Sequence, residues 1–190
     1  MKDEYKNIQE IPSINLGFTV GLPDDNNIFK WRACFVAPRD TPYRGGVFFV
    51  SLIFPPEYPM RPPKVTFDTP IYHVNVSSES IGELGSPSLN IINMWKPEYK
   101  VKDILISIYS LFYMTNINCP LNYEMANELR NNKNLYEEKI KYFTRKYADP
   151  RIEYKTYEHW DFSYPWLKLN KIYFKMVSEI NYIWETKKIN

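Results

Sequence analysis

Cysteine and histidine are scarce in this chain, and each shortage removes a class of function. The two cysteines, Cys34 and Cys119, form no Cys-x-x-Cys pair, and with only His73 and His159 beside them no zinc set of ordinary spacing can be assembled. No metal and no cofactor is implied. A disulfide scaffold is unnecessary as well, because 190 residues with a 44% apolar share bury a core without staples. Such usage fits a reducing compartment, cytoplasmic or nuclear. No run approaches the ~20 apolar residues of a bilayer span, and the opening Met1-Lys2-Asp3-Glu4-Tyr5 has no signal-peptide character. An excess of one charge is missing too. With 24 basic against 22 acidic side chains there is no field that argues for nucleic acid, and protein partners become the expectation.

What is present reads as strands first and helices afterwards. Residues 3–10 pattern as one short helix, stopped at Ile11-Pro12. A strand is expected from Leu16 to Leu22, then a turn over Pro23-Asp24-Asp25-Asn26-Asn27. Phe29, Trp31, Ala33 and Phe35 then alternate with Lys30, Arg32 and Cys34, the period of a half-buried strand that places Cys34 on the polar parity. Val47 to Phe54 is apolar on both parities, which predicts a strand buried on both faces. Proline-rich corners bracket a fourth strand from Lys64 to Asp68. Helical spacing follows: Ile104, Leu105, Ile108, Leu111 and Phe112 within Val101–Met114, then Met125, Ala126 and Leu129 behind a capping Asn122, then Tyr136, Ile140, Phe143 and Tyr147. The fold class is α+β: a short amino-terminal helix, a four-stranded antiparallel meander and carboxy-terminal helices.

Between meander and helices runs Ile71 to Lys100, a connection well above the ~12–15 residues usual for a loop without regular structure, and hence a candidate for the functional segment. Ile91, Ile92 and Trp95 in it look buried. The ordered motifs Asn27-Ile28-Phe29-Lys30-Trp31, Thr41-Pro42-Tyr43-Arg44-Gly45-Gly46-Val47-Phe48, Phe54-Pro55-Pro56-Glu57-Tyr58-Pro59-Met60-Arg61-Pro62-Pro63-Lys64-Val65, Ile71-Tyr72-His73-Val74-Asn75 and Trp95-Lys96-Pro97, with Cys119-Pro120-Leu121-Asn122 downstream, span most of residues 1–148. In order and spacing they resemble the ubiquitin-conjugating enzymes.

The resemblance implies a UBC fold and a nucleophile position within Gly85-Ser86-Pro87-Ser88-Leu89-Asn90-Ile91-Ile92, where the family places a cysteine that carries ubiquitin as a thioester. Here that position falls on Ser88. A thiol near pKa 8.5 offers thiolate at neutral pH, whereas a hydroxyl needs an adjacent general base. An oxyester would also be the poorer acyl donor. The resemblance further places His73 as a structural residue of the site and Asn75 at the family's oxyanion or loop-supporting asparagine. Cys119 falls where many members carry an acid near the nucleophile, so a relocated thiol is one alternative. The flap between Asn75 and Ser88 is longer than the family's by about five residues, with Ser78 to Glu83 the expected place, and Pro87 removes a backbone donor just before Ser88.

Partner surfaces implied by the resemblance are Met60, Pro97 and Glu98 for ligases, and Lys2 and Lys6 on a weakly basic first helix for the activating enzyme. Glu98 stands where the family has alanine, which adds a desolvation cost to any contact there. Residues 149–190 form a separate extension in which ten of the last forty residues are aromatic, and a helix from about Pro165 aligns Leu169, Ile172, Tyr173, Met176, Ile180 and Ile183 on one face. That much apolar surface must pack on the core or on a partner. The leading expectation is a non-catalytic variant that binds ubiquitin or a ubiquitin-like protein, a ligase or an active conjugating enzyme. The alternatives are an active enzyme using Ser88 or Cys119, a chain in which serine has been exchanged for an original cysteine, and a structural subunit that binds through its extension.

Overall fold

The structure, a computed structural model, describes residues 1–11, 17–77 and 84–150. In chain order it contains α1 (Lys2–Gln9), β1 (Phe18–Gly21), β2 (Lys30–Val36), β3 (Val47–Ile53), β4 (Lys64–Phe67), the short pair β5 (Val76–Ser77) and β6 (Ser86–Pro87), α2 (Asn90–Asn93), α3 (Val101–Ser110), α4 (Tyr123–Asn131) and α5 (Lys133–Tyr147). Strands β1 to β4 form one antiparallel sheet in sequence order, the expected meander. Register is set by the alternation in β2: Ala33 pairs with Val20 on one side and Val50 on the other, and Leu52 with both Trp31 and Val65. A one-residue slip would expose this whole row, so the hydrophobic pattern itself fixes the pairing.

The inner face of the sheet packs against α3 and the later helices. Trp31, Ala33, Phe35, Phe48, Val50, Leu52 and Phe67 meet Ile104, Leu105, Ile108, Phe112, Met125, Tyr136 and Ile140 in one core. Each of the larger aliphatic side chains and phenylalanines contributes about 1.5–3 kcal/mol through removal of its apolar surface from water. Helix α3 is anchored at its start by two carboxylates. Asp103 accepts the Lys100 N–H at 2.9 Å, and Glu4, reaching over from α1, accepts the Val101 N–H at 2.8 Å. Asn122 caps α4 through the Met125 N–H at 2.9 Å, and Asn132 caps α5 through the Leu135 N–H at 3.1 Å.

The outer face of the sheet departs from the sequence reading. Cys34, on the polar parity, is buried, in a small second cluster with Val47 that Val36 and Phe49 flank. Phe29 precedes β2 and is exposed, because the strand begins one residue later, at Lys30. β3 is not dry on both faces: Phe48, Val50 and Leu52 point inward, while on the other face Phe49 is half-buried and Ile53 is 48% exposed. Periodicity reports that a strand has two faces; it says nothing of what covers the second. Helix α3 ends at Ser110, short of the expected Met114, although Leu111 and Phe112 beyond it remain buried. The expected extra flap residues, Leu16 at the start of the first strand, and nearly all of the 149–190 extension lie outside the described residues.

Two isoleucines two positions apart on α3 isolate the packing contribution, since Ile104 is fully buried and Ile106 is 47% exposed. Urea denaturation is expected to show Ile104→Ala losing about 2–5 kcal/mol and Ile106→Ala under about 1 kcal/mol, with the denaturant slope unchanged in both.

Candidate functional site

Residues 71–75 run between the sheet and the helices and are clamped from both sides by buried tyrosines. Tyr43, from the turn between β2 and β3, donates its hydroxyl to the Tyr72 carbonyl at 2.8 Å, and the Tyr136 hydroxyl of α5 accepts the Val74 N–H at 3.2 Å. His73 is completely buried between them. Its Nδ1 accepts the Asn75 N–H at 2.9 Å, which leaves Nε2 as the protonated nitrogen, donating to the Leu111 carbonyl at 3.0 Å. Burial lowers the imidazole pKa from 6.5 to about 4, against the smaller opposing pull of the Leu111 and Met114 carbonyls. Both ring nitrogens are thus committed to the backbone, and the ring is neutral at pH 7.

Asn75 is the hub of the site. Its Oδ1 accepts the Asn116 N–H at 2.7 Å, and its Nδ2 donates to the Asn116 carbonyl at 2.9 Å and the Cys119 carbonyl at 3.0 Å. The adjoining Val74 carbonyl accepts the N–H groups of Leu121 and Asn122 at 2.9 and 3.1 Å. Arg130 of α4 adds a donor to the Ile117 carbonyl at 2.8 Å. The 116–122 segment, which has no regular structure, is therefore stitched along 74–75 almost entirely by the amide and the main chain.

Ser88 is held by the other end of the same residue: its N–H donates to the Asn75 carbonyl at 2.8 Å. That bond makes Asn75 and Ser88 a hydrogen-bonded antiparallel pair, so the next pair, Val76 with Pro87, is a non-hydrogen-bonded one and the missing proline donor costs the ladder nothing. Gly85 closes the hairpin against the sheet edge, with the Phe67 N–H donating to its carbonyl at 2.8 Å. A Cβ at Gly85 would stand 2.5 Å from the Ser77 carbonyl oxygen and 2.6 Å from Val76 Cγ1, closer than any side chain tolerates. Next to Ser88, Leu89 is buried and plugs the core. The Ser88 hydroxyl is half-exposed, and the Asn93 side-chain amide of α2 donates to it over 3.4 Å. An amide nitrogen is a donor and not a base. Cys119 is a free, exposed thiol whose carbonyl is fixed by Asn75.

The remaining residues singled out in sequence lie on another surface. The Trp95 indole N–H donates to the Pro59 carbonyl at 2.7 Å and its ring packs tilted against Tyr58 and edge-on against Tyr99, at 6.0 and 5.9 Å, so the turn bearing the exposed Pro97 and Glu98 is tied to the corner bearing Met60, itself 71% exposed. The Tyr58 hydroxyl donates to Glu4 at 3.0 Å, which brings in α1 and its exposed Lys2 and Lys6. Sequence reasoning overlooked Glu4, Asn93 and Arg130. Glu4 contacts a backbone 97 positions away and Arg130 one 13 positions away, and no local pattern announces either. Ile91, Ile92 and Trp95 are half-buried. Among the described residues no three His, Cys, Asp or Glu side chains converge as a metal set, and no helix is long and apolar enough to cross a membrane.

Comparison with known proteins gives a consistent result. The sequence model of the family described as "Ubiquitin-conjugating enzyme" matches residues 1–144. The protein named probable ubiquitin-conjugating enzyme E2 31 of Arabidopsis thaliana is 38% identical over 133 residues, covering 70% of this chain and 82% of that relative. Among solved structures, the E2 domain of a Toxoplasma gondii ubiquitin conjugating enzyme superposes with a TM-score of 0.67 at 30% identity, covering 77% of this chain and 95% of that one.

Two stability predictions test the geometry. Asn75→Ala removes the side-chain partner of the Asn116 amide and of the Asn116 and Cys119 carbonyls, and is expected to cost about 1–3 kcal/mol in urea denaturation and to speed hydrogen exchange at the Asn116 amide selectively. The second concerns pH. His73 has its folded pKa depressed to about 4 from 6.5, so the unfolded state binds the extra proton; its contribution is full above pH 6.5 and is lost as pH falls towards 4. The loss amounts to about 3 kcal/mol, and comparing His73→Gln with the parent at pH 7 and pH 4.5 should show the parent falling further.

Proposed function

Because this chain belongs to the ubiquitin-conjugating enzyme family and so acts in the ubiquitin pathway, with ubiquitin and ligases as its general class of partner, we propose that it works there without carrying ubiquitin as an ester at Ser88. It serves instead as a binding module that presents the fold to ubiquitin, to a ligase or to a catalytically competent conjugating enzyme. The observation that carries this reading is the company of the Ser88 hydroxyl, whose side-chain partner among the described residues is the Asn93 amide. Turning a serine into a nucleophile requires a base within about 2.6–3.2 Å. His73, the nearest imidazole in sequence, has both nitrogens engaged in the core, and the Asn75 amide spends its donors on Asn116 and Cys119, so it has none to aim at a developing oxyanion. What stays open to partners is the Met60, Pro97 and Glu98 surface, and a binding module needs no more than that.

A second reading is favoured by one observation. Cys119 is an exposed thiol, and its backbone hangs from the same Asn75 whose carbonyl holds Ser88. A relocated nucleophile at Cys119 would keep the chain catalytic.

A charging assay separates the two. Incubated with activating enzyme, ATP and ubiquitin, the protein is expected to form no reductant-sensitive adduct, and Cys119→Ala to behave identically. An adduct that dithiothreitol releases and Cys119→Ala abolishes would overturn the binding-module reading. An adduct stable to dithiothreitol, cleaved by mild alkali and abolished by Ser88→Ala would place an oxyester on Ser88 and overturn it equally. Ser88→Cys then reports whether the surrounding surface still accepts charging.

A further inference from the structure

Among the described residues helices cover only one face of the sheet, yet part of the opposite face is dry. On that outer face Cys34 is 2% exposed, and the ion pair between Arg32 Nε and Asp68 Oδ2, at 2.7 Å, has side chains only 16% and 12% exposed. Ser51 donates its hydroxyl to the same Asp68 oxygen at 2.8 Å, and the Arg32 guanidinium lies over the Phe49 ring at 5.3 Å. The cross-strand partners of Cys34 are Thr19 and Phe49, and Phe49 is itself half-buried. An open sheet face gives no such dryness to a small side chain and a charged pair. Burial also runs downhill along β3, from Val47, through half-buried Phe49, to Ile53 at 48% exposed. The dry end is the one where the described chain leaves the fold: Ala148, just past α5, accepts the Val47 N–H at 2.8 Å.

Forty residues follow Pro150, and among them Leu169, Ile172, Tyr173, Met176, Ile180 and Ile183 repeat at helical spacing. We propose that this carboxy-terminal segment, 165–184, lies in cis across the outer face of the sheet and covers Cys34, Val36, Val47 and Phe49. Reach is no obstacle. The intervening residues 151–164 can extend over about 45 Å, and the seven residues of β3 span about 23 Å, so the linker need only turn back over the strand ends beside Val47. As a helix its twenty residues would be about 30 Å long, ample to cross the dry end of the outer face while leaving Ile53 outside the contact. Its apolar row supplies what the outer face lacks, and Cys34, Val36, Val47 and Phe49 give that row a place to be buried.

Two measurements on the full chain test the assignment. The first is amine cross-linking of the unmodified protein, mixed as isotopically heavy and light chains. Cross-links from Lys30 or Lys64, on the outer face, to Lys168, Lys171 or Lys175 within one chain are the expected result. The same links only between heavy and light chains would mean that a second copy supplies the cover, and links from the segment only to α4 or α5 would mean that it packs elsewhere; either overturns the proposal. The second is alkylation of Cys34, with exposed Cys119 as the internal reference. Burial pushes the Cys34 thiol up to about 12, so it should react slowly in the parent. The double variant Ile172→Glu, Met176→Glu is expected to raise the Cys34 rate about tenfold or more at a constant Cys119 rate, with Lys175→Glu as an unchanged control. An unchanged Cys34 rate in a variant whose circular dichroism is intact overturns the proposal; should the double variant fail to fold, the cross-links of the unmodified protein decide between the cis arrangement and its rivals.

Discussion

A buried side-chain amide cannot be left without partners, and the candidate site is organised by satisfying one. Asn75 sits inside the protein with two donors and an acceptor to place, and each unmade bond at such a position costs about 1–3 kcal/mol. The partners it finds are the carbonyl and amide of Asn116 and the carbonyl of Cys119, while its own carbonyl takes the Ser88 N–H. Two segments without regular structure, one before and one after α3, are thereby held in fixed relation. His73 supports this from below by accepting the Asn75 N–H, which it can do only while neutral. The residue the family resemblance associates with catalysis is, in this chain, fully occupied with architecture.

A second polar junction fixes the opposite surface. Glu4 accepts hydrogen bonds from the Tyr58 hydroxyl and the Val101 N–H, so a single carboxylate joins α1, the proline corner and the start of α3. Trp95 adds the turn of Pro97 and Glu98 through the Pro59 carbonyl. Bonds to an ionised acceptor are stronger than neutral ones, and the positive end of α3 favours the charge. The exposed residues for partners, Met60 among them, are therefore mounted on a braced frame, while their own side chains remain free to adapt.

Much of this is legible in the sequence, and the boundary of legibility is physical. The meander follows from period-2 runs separated by turn residues, and α3 to α5 from apolar rows at helical spacing, α4 behind the capping Asn122, because strand and helix faces are written in residues two to four apart. Cys34, Phe49 and Ile53 depart from the sequence reading for a single reason: alternation separates the two faces of a strand without saying which neighbour, if any, covers each. The motif positions of Ser88, Asn75 and Cys119 can be found by resemblance, yet the bonds that tie Asn75 to Asn116 and Cys119 join residues more than forty positions apart in sequence, and nothing in either neighbourhood foretells them. Glu4 shows the same limit more sharply. In sequence it is one acid of an acidic first turn; only the fold reveals that it caps another helix.

Gly85 carries a consequence for how this lineage can vary. Its carbonyl pins the descending arm of the hairpin to Phe67, and the Ser77 oxygen leaves no room for a side chain, so the junction tolerates neither substitution nor slippage. Doubling the length of a closed loop costs only about 0.6 kcal/mol. Glycine therefore acts as a firebreak: residues can be gained or lost on the far side of it while Ser88, three positions downstream, keeps its address. The hairpin is an insertion port built into the rim of the site, through which its outer rim can be remodelled without disturbing its floor.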